Sequence, residues 1–180
     1  LDNKQYKRLQ FEADIIGDIE DQHPLIMFYY ASSIYLKETS KKKDLLYASL
    51  LFKKVHLANR DHLQSLYNMI AVSFKTKVFK DVMPLTLKAY EKNKNDPKLI
   101  EGLARLHFYL GNRSVSIKFF KTLYKIKPEK IEGRFPFVSS LNYASGVSQE
   151  EYMKECLNFA TLVEKKLNVD DDKFEFTNEK

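Results

Sequence analysis

Apolar residues recur along this chain at intervals of three and four, with short polar breaks between the runs. The pattern predicts helices almost from end to end. Leu99, Ile100, Leu103, Ala104 and His107 share one face of a helix predicted over Pro97–Tyr109, and Ser116, Phe120 and Leu123 share one face of another over 114–125. Upstream, Leu66, Tyr67, Ile70, Ala71 and Phe74 define a helix over 61–75. Val82, Leu85, Thr86 and Ala89 define the next, over 79–92. Pro84 falls in the first turns of that helix, so a late or distorted start is expected there. Pro24 opens a helix carrying Phe28, Ala31, Ser32 and Tyr35, and residues 43–56 carry Ala48, Phe52 and Val55. Residues 4–20 also have a helical pattern, with Leu9, Ala13 and Ile16 on the apolar side. After Pro128, helices are predicted over 131–142 and Gln149–Leu167. Gly146 marks the turn between them, and Ser148 with Glu151 supplies a capping box. From Asn168 on, Asp170–Asp172 and polar neighbours predict a frayed end or linker.

The helices come in pairs with a period. Lys88-Ala-Tyr90 and Thr122-Leu-Tyr124 hold equivalent places about 34 residues apart. In the segment from Tyr109 to Pro128, Gly111 stands where a helix–helix turn needs a small residue, and Ser116 where two crossing helices need one. Phe120 and Leu123 follow at core spacing, and Pro128 closes the unit. This segment resembles the second half of a tetratricopeptide (TPR) repeat. The resemblance implies an all-α solenoid of antiparallel helix pairs, about three repeats with flanking helices, over residues 1–167, and a polar tail over 168–180. Two irregularities are visible. Tyr35 and Ala48 stand about four residues further apart than the repeat requires, and a polar turn around 39–43 is the expected place for the excess. The second turn, Thr76-Lys77-Val78, lacks glycine. The chain opens on Leu1 with a pattern that belongs to a second helix, which suggests a start in mid-array.

Charge and composition narrow the functions. The net charge is +6 over 180 residues, with acids interspersed, which predicts a solvated surface in preference to a nucleic-acid stripe. One cysteine, Cys156, excludes an internal disulfide framework, and its apolar neighbours Leu157 and Phe159 predict a buried structural thiol. No apolar run reaches transmembrane length and no signal peptide opens the chain, so the expected compartment is cytoplasmic and reducing. His23, His56, His62 and His107 make no metal-ligand spacing, and His107 is expected to be packed. There is no Gly-rich phosphate loop and no Gly-x-Ser-x-Gly, and Asp170–Asp172 lacks the Gly and closing Glu of a calcium loop. No catalytic residue, cofactor or metal is expected.

The TPR resemblance moves attention to the groove lined by the first helix of each pair. Its candidate residues are Ile26, Tyr29, Ser33 and Leu36, then Ser65, Asn68, Val72 and Lys75, then Lys98, Glu101, Arg105 and Phe108. Asn68 can hydrogen-bond a backbone and Tyr29 and Phe108 offer apolar walls, so a protein or extended peptide is the expected partner, with self-association as another use. Chaperone-binding TPR domains hold a terminal carboxylate with Lys and Asn. Tyr29 and Ser33 stand at the corresponding positions here, which disfavours that role. Lys118, Lys121 and Lys125 form a solvated face on the last repeat helix.

Residues 137–152 carry a second resemblance. Leu141, Asn142, Tyr143, Ser148, Glu150 and Glu151, with Phe159 and Ala160 beyond, are similar to the junction after the last repeat in O-GlcNAc-transferase-like proteins of glycosyltransferase family 41. The resemblance implies an N-terminal region that recruits substrates or partners for a glycosyltransferase, with the chemistry in domains outside this chain. The alternative is a free-standing TPR adaptor or scaffold.

Overall fold

The computed structural model describes residues 18–167. The predicted helix over 4–20 therefore lies almost wholly outside the described residues, as does the acidic stretch Asp170–Asp172. Residues Ile19–Asp21 form a 3-10 turn capped by the Asp18 carboxylate. Among the described residues the regular elements are otherwise eight α-helices: α1 Pro24–Leu36, α2 Lys42–Ala58, α3 Leu63–Thr76, α4 Val82–Lys92, α5 Pro97–Tyr109, α6 Arg113–Ile126, α7 Arg134–Asn142 and α8 Gln149–Leu167. The described residues divide into two compact units, one ending at Leu103 and the other beginning at Ala104.

In the first unit, α1 packs on α2, α2 on α3 and α3 on α4. Met27, Ala31 and Ile34 of α1, Leu45, Ala48, Leu51, Phe52 and Val55 of α2, and Leu66, Met69 and Ile70 of α3 are buried. A fully buried Leu or Phe contributes about 1.5–3 kcal/mol, so these stripes hold the layer together. Buried hydroxyls are satisfied inside their own helices: Ser33 donates to the Tyr30 carbonyl, Ser73 to Ile70, Thr76 to Val72 and Thr86 to Val82. Helix α5 approaches α3 closely at Gly102, where a Cβ would stand 3.1 Å from the Ile70 side chain.

The irregular turns resolve differently from expectation. Only part of the excess between Tyr35 and Ala48 lies in the turn, 37–41. The rest lengthens α2, which has 17 residues against 14 in α6. Ser40 closes the turn by donating to the Ile34 carbonyl at 2.6 Å, and the Asp44 carboxylate accepts the Lys41 amide at 3.0 Å. In the turn without glycine, Lys77 itself takes the left-handed conformation, with φ 61°. Helix α4 starts late, at Val82, which places Pro84 in the first turn. The missing amide has no helical partner there, so the proline is tolerated.

In the second unit Gly111 has φ 82° and terminates α5. The Asn112 amide donates to the His107 carbonyl and the Gly111 amide to Phe108, a Schellman closure. Ser116 is wholly buried, and its hydroxyl donates to the Ala104 carbonyl at 2.8 Å, which joins α6 to the last turns of α5. Phe120, Leu123 and Tyr124 continue the stripe and meet Phe137 of α7. Helix α7 begins at Arg134, behind Gly133 at φ 84°, and is shorter than the 131–142 pattern predicts. Ser148 caps α8 by accepting the Glu151 amide at 3.1 Å. Helix α8 contains no buried residue. Cys156 is accordingly only half-buried, which corrects the expectation of a buried structural thiol.

Candidate partner-binding face

The burial pattern settles which side chains the first helices present. On α3, Leu66, Met69, Ile70 and Ser73 face the core, while Tyr67, Ala71 and Phe74 are half-buried. On α1, Met27, Ala31 and Ile34 are buried, while Phe28 and Tyr35 are half-buried. The core stripes are thus offset by about one residue from the sequence-based register. Each helix carries adjacent apolar columns, and periodicity alone cannot choose between them. Folding buries the aliphatic column and leaves the aromatics at the accessible edge, where the Tyr35 and Tyr67 hydroxyls can find partners.

This shift decides the fate of the sequence candidates. Val72 and Ser33 are 0% and 3% exposed, and Ser65 is also buried, with its hydroxyl on the His62 carbonyl. These three belong to the core and offer nothing to a partner. Tyr29 is half-buried, edge-on to Phe28 at 5.6 Å. Asn68 is half-buried and accepts from Gln64 Nε2 at 2.9 Å. Ile26, Leu36, Lys75 and Lys98 are exposed, and Glu101 is half-buried.

Two residues absent from the candidate set, Tyr35 and Tyr67, organise this face. Lys75 of α3 places Nζ 4.5 Å from the centre of the Tyr35 ring on α1 and donates to the Tyr35 carbonyl at 3.4 Å. Lys98 of α5 places Nζ 4.8 Å from the centre of the Tyr67 ring on α3. The same cation-over-ring contact therefore links α1 to α3 and α3 to α5. The Tyr67 hydroxyl donates to the Asp96 carboxylate, whose other oxygen accepts the Lys98 and Leu99 amides at 2.8 and 3.1 Å and caps α5. Burial, then the hydrogen bond and charge of Asp96, push the Tyr67 phenol far above its ordinary range. It stays a neutral donor, and Asp96 stays fixed. The sequence signal for both tyrosines was an aromatic one place off an aliphatic stripe.

In the second unit Arg105 and Phe108 are half-buried. The Arg113 guanidinium lies 4.1 Å from the centre of the Phe108 ring and donates to the Phe108 carbonyl at 3.0 Å. His107 stacks on Phe119 with ring centres 5.8 Å apart, and burial lowers its pKa. Lys121 pairs with Glu151 at 2.6 Å, while Lys118 and Lys125 are exposed. Among the described residues no His, Cys, Asp or Glu cluster could hold a metal, and no helix is long and apolar enough to cross a membrane.

No family model matches the chain, and no curated protein matches it in sequence. Solved structures of MamA do match in fold. The MamA RS-1 ArsTM double mutant superposes with a TM-score of 0.72 at 14% identity, covering 92% of this chain and 87% of that one. A crystal structure of MamA gives 0.68 at 16% identity, covering 92% and 89%. MamA 41-end from Desulfovibrio magneticus RS-1 gives 0.64 at 15% identity, covering 93% and 97%. The likeness lends no support to the glycosyltransferase resemblance of residues 137–152. At these identities it speaks for fold alone, and with the helix pairs described above it makes the chain an all-α, TPR-like solenoid.

Proposed function

We propose that this chain is a protein-interaction scaffold that holds an extended segment of a partner protein on the first helices of its pairs. The observation that carries the reading is the repeated lysine–tyrosine contact on α1, α3 and α5. Each ring gives a flat apolar wall, each ammonium above it gives a donor, and Asn68 adds an amide between them. Tyr29, Asn68, Lys75, Lys98 and Glu101 remain the binding candidates of the first unit, joined by Tyr35 and Tyr67. Arg105 and Phe108 remain those of the second.

A free-standing adaptor is favoured over the recruiting region of a glycosyltransferase-like protein. The narrower reading rests on residues 137–152, and local structure accounts for three of the matching positions. Leu141 is a core residue, and Ser148 and Glu151 cap α8. A peptide-display selection against the chain tests the scaffold reading. Recovered peptides should lose at least about tenfold in affinity when Asn68→Ala or Lys98→Ala is introduced, with helicity unchanged. A selection that enriches no peptide, or peptides indifferent to both substitutions, rejects this face.

A further inference from the structure

A second place in the first unit sets an unpartnered buried group beside a cluster of cations. The end of α2, the turn after it and the last turns of α4 enclose a cleft of about 30 Å³, lined by His56, Arg60, Asp61, Lys88, Lys92 and Asn93 with apolar neighbours. That volume is close to the share of one water molecule, so the cleft admits one oxygen-sized group while the rest of a ligand stays at its mouth. His56 is 2% exposed, and its Nδ1 has no hydrogen-bond partner. The ring's other polar contact is with the backbone of His62. A buried ring nitrogen left unpaired needs a reason.

The mouth supplies the complementary charge. Arg60, Lys88 and Lys92 are exposed, and none has an ion-pair partner among the described residues. The usual use of basic residues at helix ends, to satisfy terminal carbonyls, is already met by other groups. The Asn59 amide donates to Val55, and the Asn93 amide and Nδ2 donate to Ala89. Against the three cations stands the single carboxylate of Asp61, which leaves an excess of two positive charges. A phosphomonoester carries about −1.5 to −2 at neutral pH.

We propose that this cleft is an oxyanion site for the phosphoryl group of a phosphomonoester, with one oxygen against His56 Nδ1 and the others among Arg60, Lys88 and Lys92. Burial and the neighbouring Arg60 and His62 keep the empty-site ring neutral, with Asp61, Lys88 and Lys92 completing its charged surroundings. An anion seated on Nδ1 reverses that balance. The ring takes one proton from solvent, and Nδ1–H donates to the oxyanion. Binding is therefore coupled to proton uptake. The site lies on the second helices of their pairs and does not depend on the peptide face of α1, α3 and α5.

The test follows the His56 ring resonances by NMR while inorganic phosphate, sulfate and chloride are titrated separately at constant ionic strength. Phosphate and sulfate should shift them saturably and chloride should not. Lys88→Ala and Lys92→Ala, both at exposed positions, should each weaken phosphate about tenfold with circular dichroism unchanged. Sulfate does not titrate in this range, so its affinity should rise from about pH 8 to about pH 5.5 as His56 gains its proton. A phosphoserine peptide that binds more tightly than phosphate, with its unmodified form inert, assigns the ligand to a modified protein side chain. Equal affinities assign it to small phosphates. A shift that does not saturate, that chloride reproduces, or that survives both lysine substitutions overturns the proposal and leaves a cleft that holds only water.

Discussion

Arg134 should be among the most costly side chains to remove. It is 5% exposed at the start of α7, and each nitrogen of its guanidinium donates a hydrogen bond. Nη2 donates to the Pro128 carbonyl at 2.6 Å, Nε to Lys130 at 3.2 Å, and Nη1 to the Glu155 carboxylate of α8 at 3.2 Å. The plane also lies 3.8 Å from the centre of the Tyr124 ring. Breaking a buried pair by removing one partner costs about 3–5 kcal/mol. Glu155 retains 23% side-chain exposure, so water can recover part of its solvation, which places Arg134→Ala near the low end, about 3 kcal/mol. Arg134→Lys keeps a charge for Glu155 but loses the fork that reaches both carbonyls, and should cost about half as much. The chain has no Trp, so urea unfolding followed by circular dichroism is the suitable assay, with amide exchange across α7 and α8 locating the damage. A loss below about 1 kcal/mol for Arg134→Ala would mean that the guanidinium network is incidental to stability.

Other outcomes follow from single positions. Gly111→Ala meets no atom within 4 Å, so its cost is that of φ 82° alone, about 1 kcal/mol in the same urea assay; a neutral result would show that the turn relaxes. Ser116→Leu forces volume into a wholly buried crossing and removes the donor to Ala104, at a cost of about 1–3 kcal/mol, and an unchanged midpoint would contradict the packing. His56 and His107 have folded-state pKa values held below the ordinary 6.5, chiefly by burial. As pH falls below about 6.5 the unfolded chain protonates first, so their contribution is whole above that pH and is lost below it. Urea midpoints should fall between about pH 7 and pH 5.5, with a shallower slope in His107→Asn; equal slopes would refute the assignment.

Much of the fold was legible because its signals are local. Pro97 and Tyr109 bound α5 and Gln149 and Leu167 bound α8 where the pattern placed them, since proline, glycine and a Ser–Glu cap act within one turn. The late start of α4 followed from Pro84. The face for a partner was less legible because it depends on rotation about each helix axis. Where Leu66 stands beside Tyr67 and Ile70 beside Ala71, two columns compete, and only the packed neighbours choose. Val72 and Ser33 went to the core for that reason. Arg134 was invisible for another: a lone arginine before a phenylalanine has no pattern, and its burial depends on carbonyls that the 127–133 turn presents and on a carboxylate from α8. Cys156 was misread because apolar neighbours in sequence do not ensure that a helix is covered.

Helix α8 buries no residue, and polar ties reach it from the elements before it. Lys121 meets Glu151 at 2.6 Å, Arg134 meets Glu155 at 3.2 Å, and Lys166 meets Glu132 at 3.3 Å. The Lys121–Glu151 and Lys166–Glu132 pairs are open to solvent, so each contributes at most about 1 kcal/mol, and less as salt is added. The hold on this helix is therefore a function of the medium. Salt weakens the exposed ties while sulfate-type salts strengthen apolar burial elsewhere, so α8 is the helix whose hold should respond most to ionic strength.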